Sequence, residues 1–151
     1  MENSTTSINL NSGNNDTNLD KAAIPKKPPK PPKLEEKPFE EFIINHFLPG
    51  LKKSILDKGV NVKDIRLIQG ERPVVGGNCW MVFCEIENDR KFWLCFDKYV
   101  ITSGKTILLA ESNSEPSIVE SFLIDEKKTT LPLLISRVLQ RLNGQKWIGA
   151  N

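Results

Sequence analysis

Cys79-Trp-Met-Val-Phe-Cys-Glu-Ile-Glu87 and Arg90-Lys-Phe-Trp-Leu-Cys-Phe-Asp97 stand on either side of Asn88-Asp89. Both runs are rich in aromatic and other strand-favouring residues, and the pair between them tolerates the backbone of a tight turn. The pattern predicts a β-hairpin. Side chains alternate along a strand, so turn length decides what each face carries. A two-residue turn sets Phe83 opposite Leu94 and Met81 opposite Phe96. It puts Trp80, Val82, Cys84, Ile86, Trp93 and Cys95 on the other face. A three-residue turn gathers Trp80, Val82, Cys84, Ile86, Phe92, Leu94 and Phe96 on one core face. It leaves Met81, Phe83, Trp93 and Cys95 on the reverse. In either register the second face is more apolar than a solvated sheet face, and it calls for cover by a helix of this chain or by a partner.

Upstream of the hairpin, Pro38 stands where a helix can start, because its missing N–H costs nothing in a first turn. Phe39, Phe42, Ile43, Phe47, Leu48, Leu51, Ile55 and Leu56 follow at helical spacing, and Gly59 is a fitting stop. Pro49-Gly50 interrupts the run, which predicts a kink or two short helices near Phe47. Asp64 to Ile68 reads as a first strand and residues 71–78 as a loop. Downstream, residues 105–110 read as another strand. Residues 117–124 are open: Ser117 and Glu120 would make a helix capping box, while Phe122-Leu-Ile124 suits a strand. Thr130 and Pro132 open a last helix with Leu131, Leu134, Ile135, Val138, Leu139 and Leu142 on one stripe. Asn143-Gly144 ends it, and Trp147 is expected to pack back on the domain. The predicted class is α+β: an N-terminal helix, an antiparallel sheet of about four strands and a C-terminal helix.

Composition sets the boundary of that domain. Of 151 residues, 38% are apolar. Residues 38–151 hold 50 of the 58, about 44% of that stretch and a normal globular share. Residues 1–37 therefore read as a disordered lead before a single domain at 38–151. The net charge of +2 is likewise a cancellation: −3 over residues 1–20, +4 over 21–37 and +1 over the domain. So balanced a domain, with no basic stripe, argues against nucleic acid as a partner. In the lead, Lys27-Pro-Pro-Lys30-Pro-Pro-Lys33 favours polyproline II, whose three-residue repeat lines the lysines on one edge about 9 Å apart. Lys27, Lys30 and Lys33 are candidates to contact an anionic surface or a proline-binding groove; the plain alternative is a stiff, solvated spacer. No stretch reaches the roughly 20 apolar residues of a membrane span, and the first residues have neither the basic nor the apolar region of a signal peptide. The expected location is cytoplasmic.

The residues that carry chemistry are sparse. His46 is the one histidine and has no nucleophile beside it in sequence. Cys79, Cys84 and Cys95 have no CxxC spacing and read as reduced, buried thiols. Val75-Gly-Gly-Asn78 matches neither a dinucleotide fingerprint nor a phosphate-binding loop. Glu111, Glu115 and Glu120 form no acid/base pair, and Asp125-Glu126 is followed at once by two lysines. The reading is a protein that is not an enzyme and holds no metal or cofactor. Binding is better served. Trp80, Trp93, Arg137, Arg141, Lys146 and Trp147 are candidate partner-binding residues, tryptophan and arginine being enriched at hot spots; the three tryptophans also suit a core.

Four features together resemble a known family. They are the Pro/Lys lead running into Lys37-Pro-Phe-Glu-Glu-Phe42; the Cys79-Trp80 strand start with the Phe92–Phe96 strand; Pro116-Ser117 with Glu120-Ser-Phe122 and Asp125-Glu-Lys127; and the ending Leu139-Gln-Arg-Leu-Asn-Gly-Gln-Lys-Trp147-Ile-Gly149. Over residues 26–151 the chain is similar to a family of small, mostly uncharacterised proteins of cyanobacteria and plastids. It also resembles subunit V of the photosynthetic NAD(P)H dehydrogenase-like complex. The resemblance implies a non-catalytic accessory or assembly factor whose partners are subunits of a photosynthetic membrane complex, peripheral at the cytoplasmic face of thylakoids. It carries no catalytic residues. The alternative expectation is a binder of a pigment, lipid or quinone held between sheet and helices.

Overall fold

The computed structural model describes residues 33–112, 114–124 and 128–149. Of the lead read at residues 1–37, residues 1–32, with Lys27 and Lys30, lie outside the described residues, while residues 33–37 are described. Lys33 opens a short 3₁₀ turn, Leu34–Glu36, and its backbone N–H donates to Glu36 Oε1 at 3.3 Å.

Helix α1, Phe39–Phe42, runs through a π turn, Ile43–Phe47, into helix α2, Leu48–Asp57. The expected disturbance near Phe47 therefore takes the form of a widened turn, and Pro49 explains it. Proline has no N–H to give the carbonyl four residues back, and its ring would strike that carbonyl. The chain widens instead, and the Leu48 N–H reaches back to the Ile43 carbonyl. Phe42, Ile43, Phe47, Leu51 and Ile55 stay on one face, fully buried. Gly59 follows the helix in a left-handed conformation (φ +84°) that a side chain would disfavour.

The sheet has five antiparallel strands in sequence order: β1 (Val62–Glu71), β2 (Asn78–Ile86), β3 (Arg90–Phe96), β4 (Lys105–Ala110) and β5 (Ile118–Phe122). About four were expected. The fifth is the segment whose sequence suited either helix or strand. The Ser117 N–H donates to the Leu109 carbonyl at 3.0 Å, and β5 then pairs with β4 from Leu109↔Ile118 to Lys105↔Phe122. A row of sheet hydrogen bonds outweighs one capping box.

The hairpin register is that of the three-residue turn. Ile86 pairs with Arg90, Cys84 with Phe92, Val82 with Leu94 and Trp80 with Phe96. Asn88 and Asp89 hold the turn at φ 67° and 57°, which Asn and Asp tolerate better than most side chains. One sheet face gathers Val82, Cys84, Ile86, Phe92, Leu94, Phe96, Ile107 and Leu109 under the helices. Met81, Cys95, Cys79 and Leu108 form a second buried cluster on the reverse, with Ile68 and Trp93 half-buried against it. All six residues come from strands, and no described helix residue belongs to this cluster.

Helix α3, Leu131–Gly144, completes the helical layer. Thr130 caps it by accepting the Leu133 N–H at 3.2 Å, with proline in the first turn as expected. A second cap comes from far away: Glu35 Oε2 accepts the Leu131 N–H at 2.8 Å across 96 residues. Leu134, Val138 and Leu142 are fully buried. Helices α2 and α3 approach closely at Gly50, where a Cβ would lie 2.8 Å from Ile135 Cδ1. The layer is held by apolar packing. Each fully buried side chain contributes about 1.5–3 kcal/mol. A pair such as Lys53–Asp57, with side chains 78% and 63% exposed, contributes well under about 1 kcal/mol.

Candidate interaction site

Helix α3 carries more apolar surface than its core contacts consume. Beside the buried Leu134–Val138–Leu142 stripe runs a second one, Leu131–Ile135–Leu139, four residues apart at each step. These three are half-buried: they pack against the core and also line an open groove of about 1110 Å³. Ile148 of the tail and Lys58, just past α2, complete the walls, and Arg137, Gln140 and Asn143 form a polar side. A smaller concavity adjoins it. Glu120, Phe122 and Ile124 line that one together with Arg141, and Arg137 and Gln140 border both.

The two arginines of α3 are used differently. Arg141 grips Glu120 through both carboxylate oxygens, Nε to Oε1 and Nη2 to Oε2, each at 2.8 Å, and its Nη1 donates to Gln145 Oε1 at 3.2 Å. The guanidinium hydrogen bond holds the Glu120 carboxyl below its ordinary range and raises Arg141 in turn. Arg141 thus ties α3 to β5. Arg137 donates to Gln140 Oε1 at 3.2 Å, one turn along the same helix, at the border of both concavities.

The other candidates are dispersed. Trp80 lies on the helix side of the sheet, its ring 6.2 Å from Phe39 and 5.0 Å from Tyr99. Trp93 lies on the reverse, 5.3 Å from Phe83. Alternation along the paired strands β2 and β3 therefore prevents one surface from using both. Trp147 is only 4% exposed. Its Nε1–H donates to Glu111 Oε2 at 2.9 Å, and the Arg90 guanidinium sits 5.8 Å over its ring. It packs back on the domain as expected and has little surface left for a partner. Lys146 is exposed in the left-handed turn after α3 (φ 64°). Lys33 is exposed at the start of the described chain. The structure thus brings Arg137 and Arg141 together at one concavity, puts Trp80 and Trp93 on opposite sheet faces and buries Trp147.

Among the described residues, no group of three His, Cys, Asp or Glu side chains is placed to hold a metal ion. His46 is half-buried, with Nε2 3.3 Å from Lys37 Nζ. All three cysteines are free and buried. Burial pushes the Cys84 thiol up to about 12 and that of Cys95 higher still. Cys79 is raised as well, its burial only partly offset by a hydrogen bond with Cys95. Such thiols are protonated at neutral pH and poor nucleophiles. No described helix is long and apolar enough to cross a membrane.

Sequence reasoning missed two features of this region. The Glu35 cap joins residues too distant for any local pattern. The second stripe of α3 was visible as Leu131, Ile135 and Leu139, but it was merged with the core stripe.

No curated protein matches the chain. Residues 33–149, a span that takes in all of the described residues, match the model of a family described as "Protein of unknown function (DUF2996)". The chain belongs to that family.

Proposed function

We propose that this protein is a non-catalytic interaction module, an accessory or assembly-stabilising factor of a photosynthetic membrane electron-transfer complex. The observation that supports it is the Leu131–Ile135–Leu139 stripe of α3, left half-buried along a groove of about 1110 Å³. A helix that only closed a core would turn polar side chains to that side. The sequence resemblance supplies the photosynthetic setting and the class of partner, complex subunits at the cytoplasmic face of thylakoids. A pigment, lipid or quinone is served less well. Small-molecule sites enclose most of their ligand, and this groove is open to solvent along the helix.

The test is affinity capture from membranes in mild detergent, comparing the wild type with Leu139→Arg. Thermal melts verify that the variant folds. Recovery of electron-transfer subunits with the wild type, and their loss with the variant, is expected. Recovery of the wild-type protein alone overturns the proposal.

A further inference from the structure

We propose that the free edge of β1 takes the same edge of a second copy of this chain, antiparallel about a two-fold axis, so that two five-stranded sheets join into one. The proposal stands apart from the interaction reading above, since Arg141 ties α3 to β5, at the opposite edge of the sheet. β1 pairs with β2 on one side only. An edge strand turns every second residue's N–H and C=O outwards, unpaired. Among the described residues, no backbone group bonds to that outer side, and none of the ten residues Val62–Glu71 is buried. The strand is nearly twice the ordinary length of about 5–6 residues. Proteins commonly blunt such an edge with proline, a bulge or short length. β1 has one bulge, between Val62 and Asp64, and from Asp64 to Gly70 it runs in regular register without proline. β5, the other edge, has five residues, and its Glu120 is gripped by Arg141.

The residues of β1 select a second copy and set its register. An axis perpendicular to the sheet keeps both helical layers on one side, and it sets residues of the same face opposite each other. Two such registers pair the strand almost fully. Centred on Arg66, residues 62–70 pair; Arg66 meets Arg66 across the axis and Asp64 meets Ile68. Centred on Leu67, residues 63–71 pair. Leu67 then meets Leu67, Ile65 meets Gln69, Arg66 meets Ile68, and Lys63 meets Glu71 at both ends. Like charges directly opposite destabilise and unlike charges stabilise, so the strand is self-complementary about Leu67. Centring on Ile65 or Ile68 shortens the pairing to residues 62–68 or 65–71. The charges at the two ends are loosely committed within the chain. Lys63 lies 3.7 Å from Asp89, with side chains 53% and 47% exposed, and Glu71 has no ion pair among the described residues. Gly70 fits the same register. A Cβ there would meet nothing within 4 Å, so packing within one chain gives no reason for glycine. Across the axis Gly70 lies opposite Asp64, and glycine inside a strand often marks the close approach of another backbone.

The test is sedimentation equilibrium of the full chain over a wide range of concentration, with thermal melts to verify that each variant folds. The wild type should show a reversible equilibrium between monomer and dimer. Glu71→Lys, which sets lysine against Lys63 at both ends, should weaken the dimer by about tenfold. Lys63→Glu added to Glu71→Lys exchanges the charges and should restore most of the loss. Register is read separately with Leu67→Cys. Residues directly opposite in an antiparallel pair lie about 4.5–5.5 Å apart, within disulfide reach, so mild oxidation by copper phenanthroline should give a covalent dimer. The native cysteines are buried, and Val74→Cys, exposed in the adjoining loop, serves as the control and should cross-link far more slowly. A wild type that stays monomeric at every concentration overturns the proposal. So does a dimer that Glu71→Lys leaves unchanged, a double variant no tighter than Glu71→Lys alone, or a Leu67→Cys variant that cross-links no faster than the control.

Discussion

Removing the Glu35 carboxylate measures how firmly the start of the described chain holds the C-terminal helix. Glu35 Oε2 takes the Leu131 N–H at 2.8 Å, one of the four donors that a helix leaves unsatisfied at its N-terminus. A hydrogen bond to a charged acceptor contributes about 1.5–3 kcal/mol and a side-chain cap about 0.5–2. Glu35 is only half-buried, so solvent screens part of this. Glu35→Gln should cost about 1 kcal/mol and Glu35→Ala about 1–2 kcal/mol, or about 3–8 °C of melting temperature for a domain of this size. Thr130→Ala, which removes the neighbouring cap on Leu133, gives the scale and should cost about 1 kcal/mol. The effect depends on pH. The Leu131 N–H is the largest influence holding the Glu35 carboxyl below the usual carboxylate range, with partial burial opposing it. Ionised Glu35 is thus favoured more in the folded chain than in the unfolded one. Its contribution is full above the unfolded carboxylate range and fades as pH falls through the lowered folded value. Urea melts of wild type and Glu35→Gln at a series of pH values should show a gap that is widest near neutrality and closes in acid. A gap below about 0.3 kcal/mol at neutral pH, or one that widens on acidification, would refute the reasoning.

Other substitutions probe separate parts of the molecule. A double-mutant cycle with Arg141→Met and Glu120→Gln should give a coupling of about 0.5–1 kcal/mol that shrinks in high salt, because the Glu120 side chain is 45% exposed. Val74 is held at φ 69° in the loop between β1 and β2, with 60% of its surface exposed. Val74→Asn should raise stability by about 0.5–1 kcal/mol in urea melts, since Asn accepts the left-handed region and valine does not. At Gly50, valine should destabilise by about 1–3 kcal/mol by forcing α2 away from Ile135. The native protein treated with iodoacetamide near pH 8 should leave Cys84 and Cys95 unmodified, with rapid labelling only after unfolding, as mass spectrometry of tryptic peptides would read.

Much of the architecture was legible in local pattern. The hairpin was readable from two β-rich runs around Asn88-Asp89, and the core-facing set Trp80, Val82, Cys84, Ile86, Phe92, Leu94 and Phe96 was one of two registers on offer. Only the turn distinguished them, and Asn-Asp is compatible with both lengths. Thr130 and Pro132 marked α3 because capping is a short-range effect. Residues 117–124 were ambiguous because their pairing partner, β4, lies outside any local window. The π turn could be located by Pro49 but not described, since proline states which hydrogen bond is lost and not how the backbone replaces it. The candidate site was less legible. Trp80, Trp93 and Trp147 have the composition of an interface, yet burial and strand alternation assign them to different places. Arg137 emerged as a groove residue only once α3 was seen beside Lys58 and Ile148.

The strand order has a kinetic meaning. Every pairing in the sheet joins consecutive strands, so each step from β1 to β5 closes only a short loop. The helical layer is different, because α1 and α2 come before the sheet and α3 after it. Their contact, and the bond from Glu35 to Leu131, close a loop of most of the domain. Loop-closure entropy places local pairings early and distant ones late. Interactions made late strengthen the native state without much helping the transition state, so they set how slowly the molecule comes apart. The two ends of the domain therefore act as its clasp: their contacts govern the lifetime of the folded form, while the meander between them governs how quickly that form is reached.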